Sequence, residues 1–584
     1  MVDRRGLVLA AVLLWMNASA GRAQTAVLTR SYNSGRTGAN THEATLTPAS
    51  VAGVKLLRTI GLDAGDDPRL EAQPLYLPAL TITPGHAADV VVVATMANNV
   101  YAFDVNTGAK IWKTALGNPI EPAFKSVTPF GLRETEIDLY GTNLRWGILS
   151  TPVIDPDTRT LYVVSWSSAT GKIMNAEYRL HALNLATGAA RKPSILVDGS
   201  SGGASFLPNG QKQRSALLLF KAPRPGAPAR KTLIVASGLV RETGAGHGWV
   251  IAFDVDSFRR TAAWASTPGK QGGGIWQANQ GPAADDQGFI YFMTGNGAWN
   301  GTTAFSETFV KLRYTPPATP AGNGSLTVAD WFTPFIDAER GPDDQDLGSG
   351  GAVLALSGLV VGGGKDGVLY VLNRANLGHR NKPKAAIFFT YFPGFGPSPL
   401  DVHALDGLAA PATRHLHGSP IAWGSAAHGR MLFVWGENSA LRAWTLQPDG
   451  RVQFLAESLE TASAFSAHQD AMPGGMLTLS ANGNANGVVW ASVPIKSHWE
   501  GRDTEADANK EIVEGVLRAY HATTFGPNAP NGNATLQLLW QSTTPGTPGP
   551  IAPRFTYNKF CPPVVADGKV FVATYDGRVL VFGL

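Results

Sequence analysis

At 584 residues the chain is long enough for several domains, but its 66 glycines and 39 prolines run throughout with no composition break, which favours one large repetitive β domain. The formal net charge is only +4, so nothing argues for nucleic acid as a partner. The single cysteine, Cys561, excludes an internal disulfide and, with no Cys-x-x-Cys-His sequence, a covalently attached c-type haem.

The start of the chain, residues 1–23, reads as a removable secretory signal. Asp3-Arg4-Arg5 is followed by an apolar run from Leu7 to Met16 and by small residues at Ala18-Ser19-Ala20 and Gly21-Arg22-Ala23. That run is ten residues long, half of the roughly 20 that a bilayer span needs. The mature chain, 24–584, is then expected to be a single secreted or periplasmic domain without a membrane span. Loss of Arg4, Arg5 and Arg22 together with Asp3 leaves it near +2.

A β repeat follows. Its clearest copy is Val90 to Trp112, where a four-valine run reads as a buried strand, Ala97-Asn98-Asn99 as a hairpin turn, Val100 to Phe103 as the partner strand, and Asn106-Thr107-Gly108 as a second turn. Looser copies centre on Arg179–Asn184, Trp249–Asp254, Thr308–Leu312, Val368–Asn373, Leu441–Thr445, Leu517–His521 and Val579–Gly583. A proline precedes several of them, as at Pro74, Pro152, Pro282, Pro420 and Pro563, where an innermost strand needs no ladder donor. Eight copies predict an all-β, eight-bladed propeller of four-stranded antiparallel blades, with seven blades as the fallback because the Thr308 copy is weak. The last copy ends with the chain, so an N-terminal strand at Val54–Leu62 is expected to close the ring around a polar axial channel. Glu505 to Arg518 is the one stretch with helical spacing.

The segment Val100-Tyr-Ala-Phe-Asp-Val-Asn-Thr-Gly-Ala-Lys-Ile-Trp112 resembles the repeat of pyrroloquinoline quinone (PQQ) dehydrogenases, in which the tryptophan docks one blade on the next. Gly272-Gly-Gly-Ile-Trp276 and Thr294-Gly-Asn-Gly-Ala-Trp-Asn300 resemble that family's paired cofactor segments. The resemblance implies Trp276 as a flat floor under PQQ and Asn296 as a ligand of Ca²⁺; an indole face suits a planar ring, and a hard cation takes amide oxygen. It also implies Lys365, in Gly362-Gly-Gly-Lys-Asp-Gly, as the cation at the quinone oxygens, and Asp346 as the base that takes the alcohol proton. Gln73, Arg145, Ser237 and Gly238 are weaker matches, as polar contacts to the cofactor carboxylates.

The sequence also departs from that pattern. Cys561 alone cannot form the family's adjacent-cysteine disulfide, and the register of its calcium carboxylate holds Val240, with Glu242 two residues later. Each site residue also has a plain structural reading: blade packing for Trp276, a turn for Asn296, a solvated hairpin for Lys365, a solvated acidic loop for Asp346. In Arg414-His-Leu-His417 two histidines alternate as on one strand face, a metal-capable pair with no third ligand evident nearby.

Two functions stay open. One is a PQQ-dependent-dehydrogenase-like enzyme of the cell envelope, oxidising a small-molecule alcohol or sugar and passing electrons to a separate acceptor. The other is a non-catalytic propeller with PQQ repeats, a scaffold that presents its loop face to a protein or glycan.

Overall fold

The computed structural model describes residues 24–63, 67, 69–128, 133–140, 142–241, 246–334, 344–355, 358–389, 415–463, 471–499, 501–543 and 554–584. Residues 1–23, where a signal segment is expected, and Glu242 lie outside the described residues.

Alternating apolar strands broken by tight turns fold as a β-propeller. The described residues form eight blades built on four antiparallel strands: 75–115, 153–196, 211–265, 283–332, 353–388, 421–462, 476–541, and 564–583 completed by Lys55–Gly61; in the third the innermost strand is split into Gln211–Lys212 and Leu218–Arg224, and a parallel bridge from Glu457 to Thr535 links the sixth and seventh. In the last blade Lys55–Gly61 pairs antiparallel with Arg578–Gly583. Pro74, Pro152, Pro282, Pro420 and Pro563 each stand immediately before an innermost strand, where the missing N–H leaves no ladder bond unmade. The weak copy at Thr308 is a blade strand like the others, Phe309–Thr315, paired on both sides.

The hydrophobic core lies between blades. Eight apolar clusters each join a blade to the next, from Val92, Leu161 and Leu183 between the first and second to Val91, Phe103, Phe571 and Val581 between the eighth and first. Trp112, 8 % exposed, donates through Nε1 to Leu185 O of the second blade at 2.9 Å. Its ring leaves no room for a side chain at Gly188, where a Cβ would lie 2.6 Å from it.

Two expectations are corrected. Glu505 to Arg518 is not helical: it ends in the strand Glu514–Asn528, whose Val516 and Leu517 pair with Val493 and Ser492, so sheet packing overrides a short helical spacing. The axis is not an open channel either. Residues 27–40 run around it and hydrogen-bond to every blade: Val27 with Tyr76, Leu28 with Ile154, Ser34 with Ala284, Gly35 with Leu354, Thr37 with Ala422 and Gly38 with Leu479, all through the backbone. Arg36 Nη2 reaches Leu217 O at 2.9 Å and Asn40 Nδ2 reaches Val565 O at 2.9 Å, completing the third and eighth blades. Innermost strands have a free ladder edge facing the axis, and this segment satisfies it.

Candidate functional site

The segments that lead into the innermost strands converge around the axis and line a cavity of about 470 Å³. Trp276, Asp346 and Lys365 are all on its wall.

Trp276 is half-buried and held from behind. A Cβ on Gly238 would lie 2.7 Å from its ring, so the indole rests directly on backbone that only glycine leaves bare. Ile275 N donates to Ser237 O at 3.2 Å and Ser215 Oγ donates to Ile275 O at 2.7 Å, fixing the residue before it. Gln277, Ala278 and Asn279 after it all have left-handed φ (51°, 42° and 65°), a run that non-glycine residues adopt only under constraint. Asn279 Nδ2 donates to Glu71 O at 2.8 Å, and Gln280 Nε2 to Arg36 O at 3.0 Å, so the axial segment braces the loop that presents Trp276.

The two halves of the glycine-rich stretch are bonded to each other, Gly273 N to Asn296 O at 2.6 Å and Gly295 N to Gly274 O at 2.8 Å. Gly295 also lets Asp346 approach, since a Cβ there would lie 2.8 Å from Oδ2. Asp346 is 1 % exposed, and its Oδ1 is 2.8 Å from Lys365 Nζ, which is also 2.8 Å from Asp344 Oδ2. Burial pushes the Asp346 carboxyl up, with the Lys365 ammonium opposing. Lys365 is thus not a solvated hairpin lysine.

Sequence reasoning missed the cations. Lys212 and Arg214 line the cavity within 6 Å of the Trp276 ring, at 5.8 and 5.9 Å from its centroid. Lys559, Lys510 and Arg241 line it too, while the carboxylates that pair with Arg214, Arg241 and Lys510 (Glu71, Glu134 and Asp507) do not. Burial lowers Lys212 to about 8, against the pull of Asp138. Asp138 itself is held below the ordinary range: burial raises it, but Lys212, Lys559 and Arg214 outweigh that. Lys212 and Arg214 alternate in Gln211-Lys-Gln-Arg214, just ahead of an innermost strand, and Lys559 has the same place before Pro563. That shared place in the repeat was the available signal.

The remaining sequence candidates stand elsewhere. Gln73 is buried near the axial segment, with its N–H donating to Thr151 Oγ1 at 2.9 Å. Ser237 Oγ hydrogen-bonds the Gln211 amide at 2.8 Å, and Gly238 is the seat of Trp276 and the strand partner of Lys212. Arg145 points away, 3.4 Å from the exposed carboxylate of Glu121. Asn296 is not on the cavity wall; its Nδ2 donates to Asp344 Oδ1 at 2.7 Å. With the Lys365 ammonium already between Asp344 and Asp346, and apolar Val240 on the wall, the groups among the described residues do not form the shell of six to eight oxygens that calcium requires.

A third group borders the same cavity. His415 and His417, both on its wall, meet Glu437: His415 Nδ1 is 3.4 Å from Oε2 and His417 Nδ1 is 2.7 Å from Oε1. Burial, then His415, Lys365, Lys559 and Arg214, hold the His417 imidazole well below its usual range and keep it neutral.

No protein-family model matches the chain, and no curated protein matches it in sequence. Solved structures do match it in fold. The quinohemoprotein alcohol dehydrogenase from Comamonas testosteroni aligns over 97 % of this chain and 81 % of its own, with a TM-score of 0.53 at 16 % identity. A europium-containing methanol dehydrogenase aligns over 96 % and 98 %, with a TM-score of 0.51 at 13 % identity. The quinohemoprotein alcohol dehydrogenase of Pseudomonas putida HK5 aligns over 96 % and 80 %, with a TM-score of 0.50 at 14 % identity. Among the described residues no helix is long and apolar enough to cross a membrane. The chain therefore has the β-propeller fold of the quinoprotein alcohol dehydrogenases.

Proposed function

We propose that the cavity binds a planar, polyanionic quinone of the PQQ class and that the protein uses it to oxidise an alcohol or sugar in the cell envelope. The observation that carries this reading is Trp276, a half-exposed indole seated on bare backbone and faced by Lys212 and Arg214 at the wall that also bears Asp346 and Lys365. An aromatic floor supplies dispersion and stacking to a flat ring, and buried cations select carboxylates at its rim. A bound quinone supplies a two-electron acceptor for a CH–OH group.

The chain's own residues would do the rest. Trp276 and the glycines beneath it orient the ring. Lys212, Arg214 and Lys559 hold its carboxylates. Asp346 takes the hydroxyl proton at Oδ1 or Oδ2, and its affinity for a proton, raised by burial, suits a base. Lys365, paired with it, keeps the carboxylate in place and offers positive charge where negative charge builds on oxygen. The two electrons pass on to a separate acceptor.

Incubating the purified protein with PQQ, then adding a panel of alcohols and sugars with an artificial dye acceptor, tests the reading. Substrate-dependent dye reduction that requires PQQ supports it. PQQ binding without turnover on any substrate would point instead to a scaffold that kept the cofactor pocket.

A further inference from the structure

We propose that His415, His417 and Glu437 form a second site, for a divalent first-row transition-metal ion, at the wall of the central cavity. The two histidines come from the segment that leads into the innermost strand Ile421–Ser425, and Glu437 from the turn after the next strand, Gly429–Trp435. Blade geometry thus brings in the third ligand that the His-x-His pair lacks locally.

Several observations carry the inference. All three residues are buried, and their ligand atoms lie within 4.8 Å of one another. For bonds of about 2.0–2.2 Å, two ligand atoms on one ion are separated by about 3.0 Å at a right angle and about 3.4 Å at the tetrahedral angle. The two histidine–carboxylate separations are 2.7 and 3.4 Å, close to those spans, and with all three ligand atoms within 4.8 Å of one another a small side-chain adjustment would bring the two imidazoles to them as well. Among the described residues neither ring nitrogen of His417 makes a hydrogen bond, although the side chain is 3 % exposed. A buried polar group aimed at a carboxylate without hydrogen-bond alignment is what a shared ion would organise.

The positions of the ligands are fixed by backbone. Glu437 N donates to His415 O at 3.0 Å, and Leu416, between the histidines, donates to Gly364 O at 2.9 Å and accepts from Ser349 Oγ at 2.9 Å. Gly364 precedes Lys365, so the site is coupled through one hydrogen bond to the turn that carries that lysine. Two imidazoles and one carboxylate suit zinc, iron(II) and similar ions, and the two nitrogens disfavour calcium or magnesium. Three protein ligands leave at least one coordination position for another donor. Because His415 and His417 line the cavity, an oxygen of a bound small molecule is the natural fourth ligand. This inference does not rest on the quinone reading, since it uses none of the residues assigned to the quinone.

The test is a titration of chelator-treated full-length protein with Co²⁺ alone, read by visible d–d absorption and by metal content after gel filtration. We expect one equivalent of cobalt per chain, displaced by Zn²⁺ but not by a large excess of Ca²⁺. Glu437→Gln, which keeps side-chain volume, and His417→Ala should each weaken binding at least tenfold. Failure of the wild-type chain to take up one equivalent overturns the proposal. So does uptake that both variants retain at wild-type affinity, because cobalt would then be bound elsewhere. Circular dichroism of each variant shows that a loss of binding is not a loss of fold.

Discussion

The axial segment makes a prediction that can be worked through from Arg36. Its side chain is fully buried and donates four hydrogen bonds: to Pro282 O at 3.0 Å, and to Thr29 Oγ1, Arg30 O and Leu217 O at 2.9 Å each. Bonds from a charged donor contribute about 1.5–3 kcal/mol each, so four give about 6–12 kcal/mol. Burial opposes this, lowering the guanidinium from 12.5 to about 9, a cost of about 5 kcal/mol. The difference leaves a net contribution of about 1–7 kcal/mol, and about 3–4 is a fair centre because truncation also strands three carbonyl acceptors. For a chain of this size, with an unfolding entropy of about 2 cal/mol/K per residue, Arg36→Ala should lower Tm by about 3 °C in differential scanning calorimetry. Arg36→Lys, which keeps a cation but not the fork, should fall between. A Tm for Arg36→Ala within about half a degree of wild type would refute the idea that this segment fastens the blades.

Two further predictions concern the cavity. Lys212→Met should weaken PQQ binding about tenfold or more at neutral pH, measured by isothermal titration calorimetry. Lys212 loses its proton as pH rises through about 8 in the free protein, so wild-type affinity should fall across that range and the variant's should stay flat. Asp346→Asn should lower dye-coupled turnover by about 10²–10⁴-fold while leaving PQQ affinity within a few-fold, since the amide keeps the shape and loses the base.

The fold was legible because its signals are local. Strand alternation, turn residues at Asn98-Asn99 and Thr107-Gly108, and prolines before innermost strands each specify a blade within a few dozen residues. Trp276 and Lys365 could be singled out for the same reason, as each sits in a distinctive glycine-rich turn. The cations were hidden because Lys212 and Arg214 enter the third blade and Lys559 the eighth, and only ring closure sets them on one cavity wall. Glu437 was hidden similarly: nothing in its own segment points to His415 and His417. The axial segment, residues 27–40, has no periodicity at all, because it bonds to eight separate blades, six through its backbone and two through Arg36 and Asn40, rather than to one partner. Asn296 is the reverse case: its turn stands out in the sequence, and the structure places its Nδ2 against Asp344 Oδ1 and leaves the residue off the cavity wall.

The central claim is that Trp276 is the floor of a quinone site, and calorimetric titration of PQQ into wild type and Trp276→Ala tests it most directly. Stacking and burial on an indole amount to about 2–3 kcal/mol, so the account predicts one site of micromolar or better affinity in the wild type and a loss of about 30- to 150-fold in the variant. No binding by the wild type at tens of micromolar, or equal affinity in the two proteins, would contradict it.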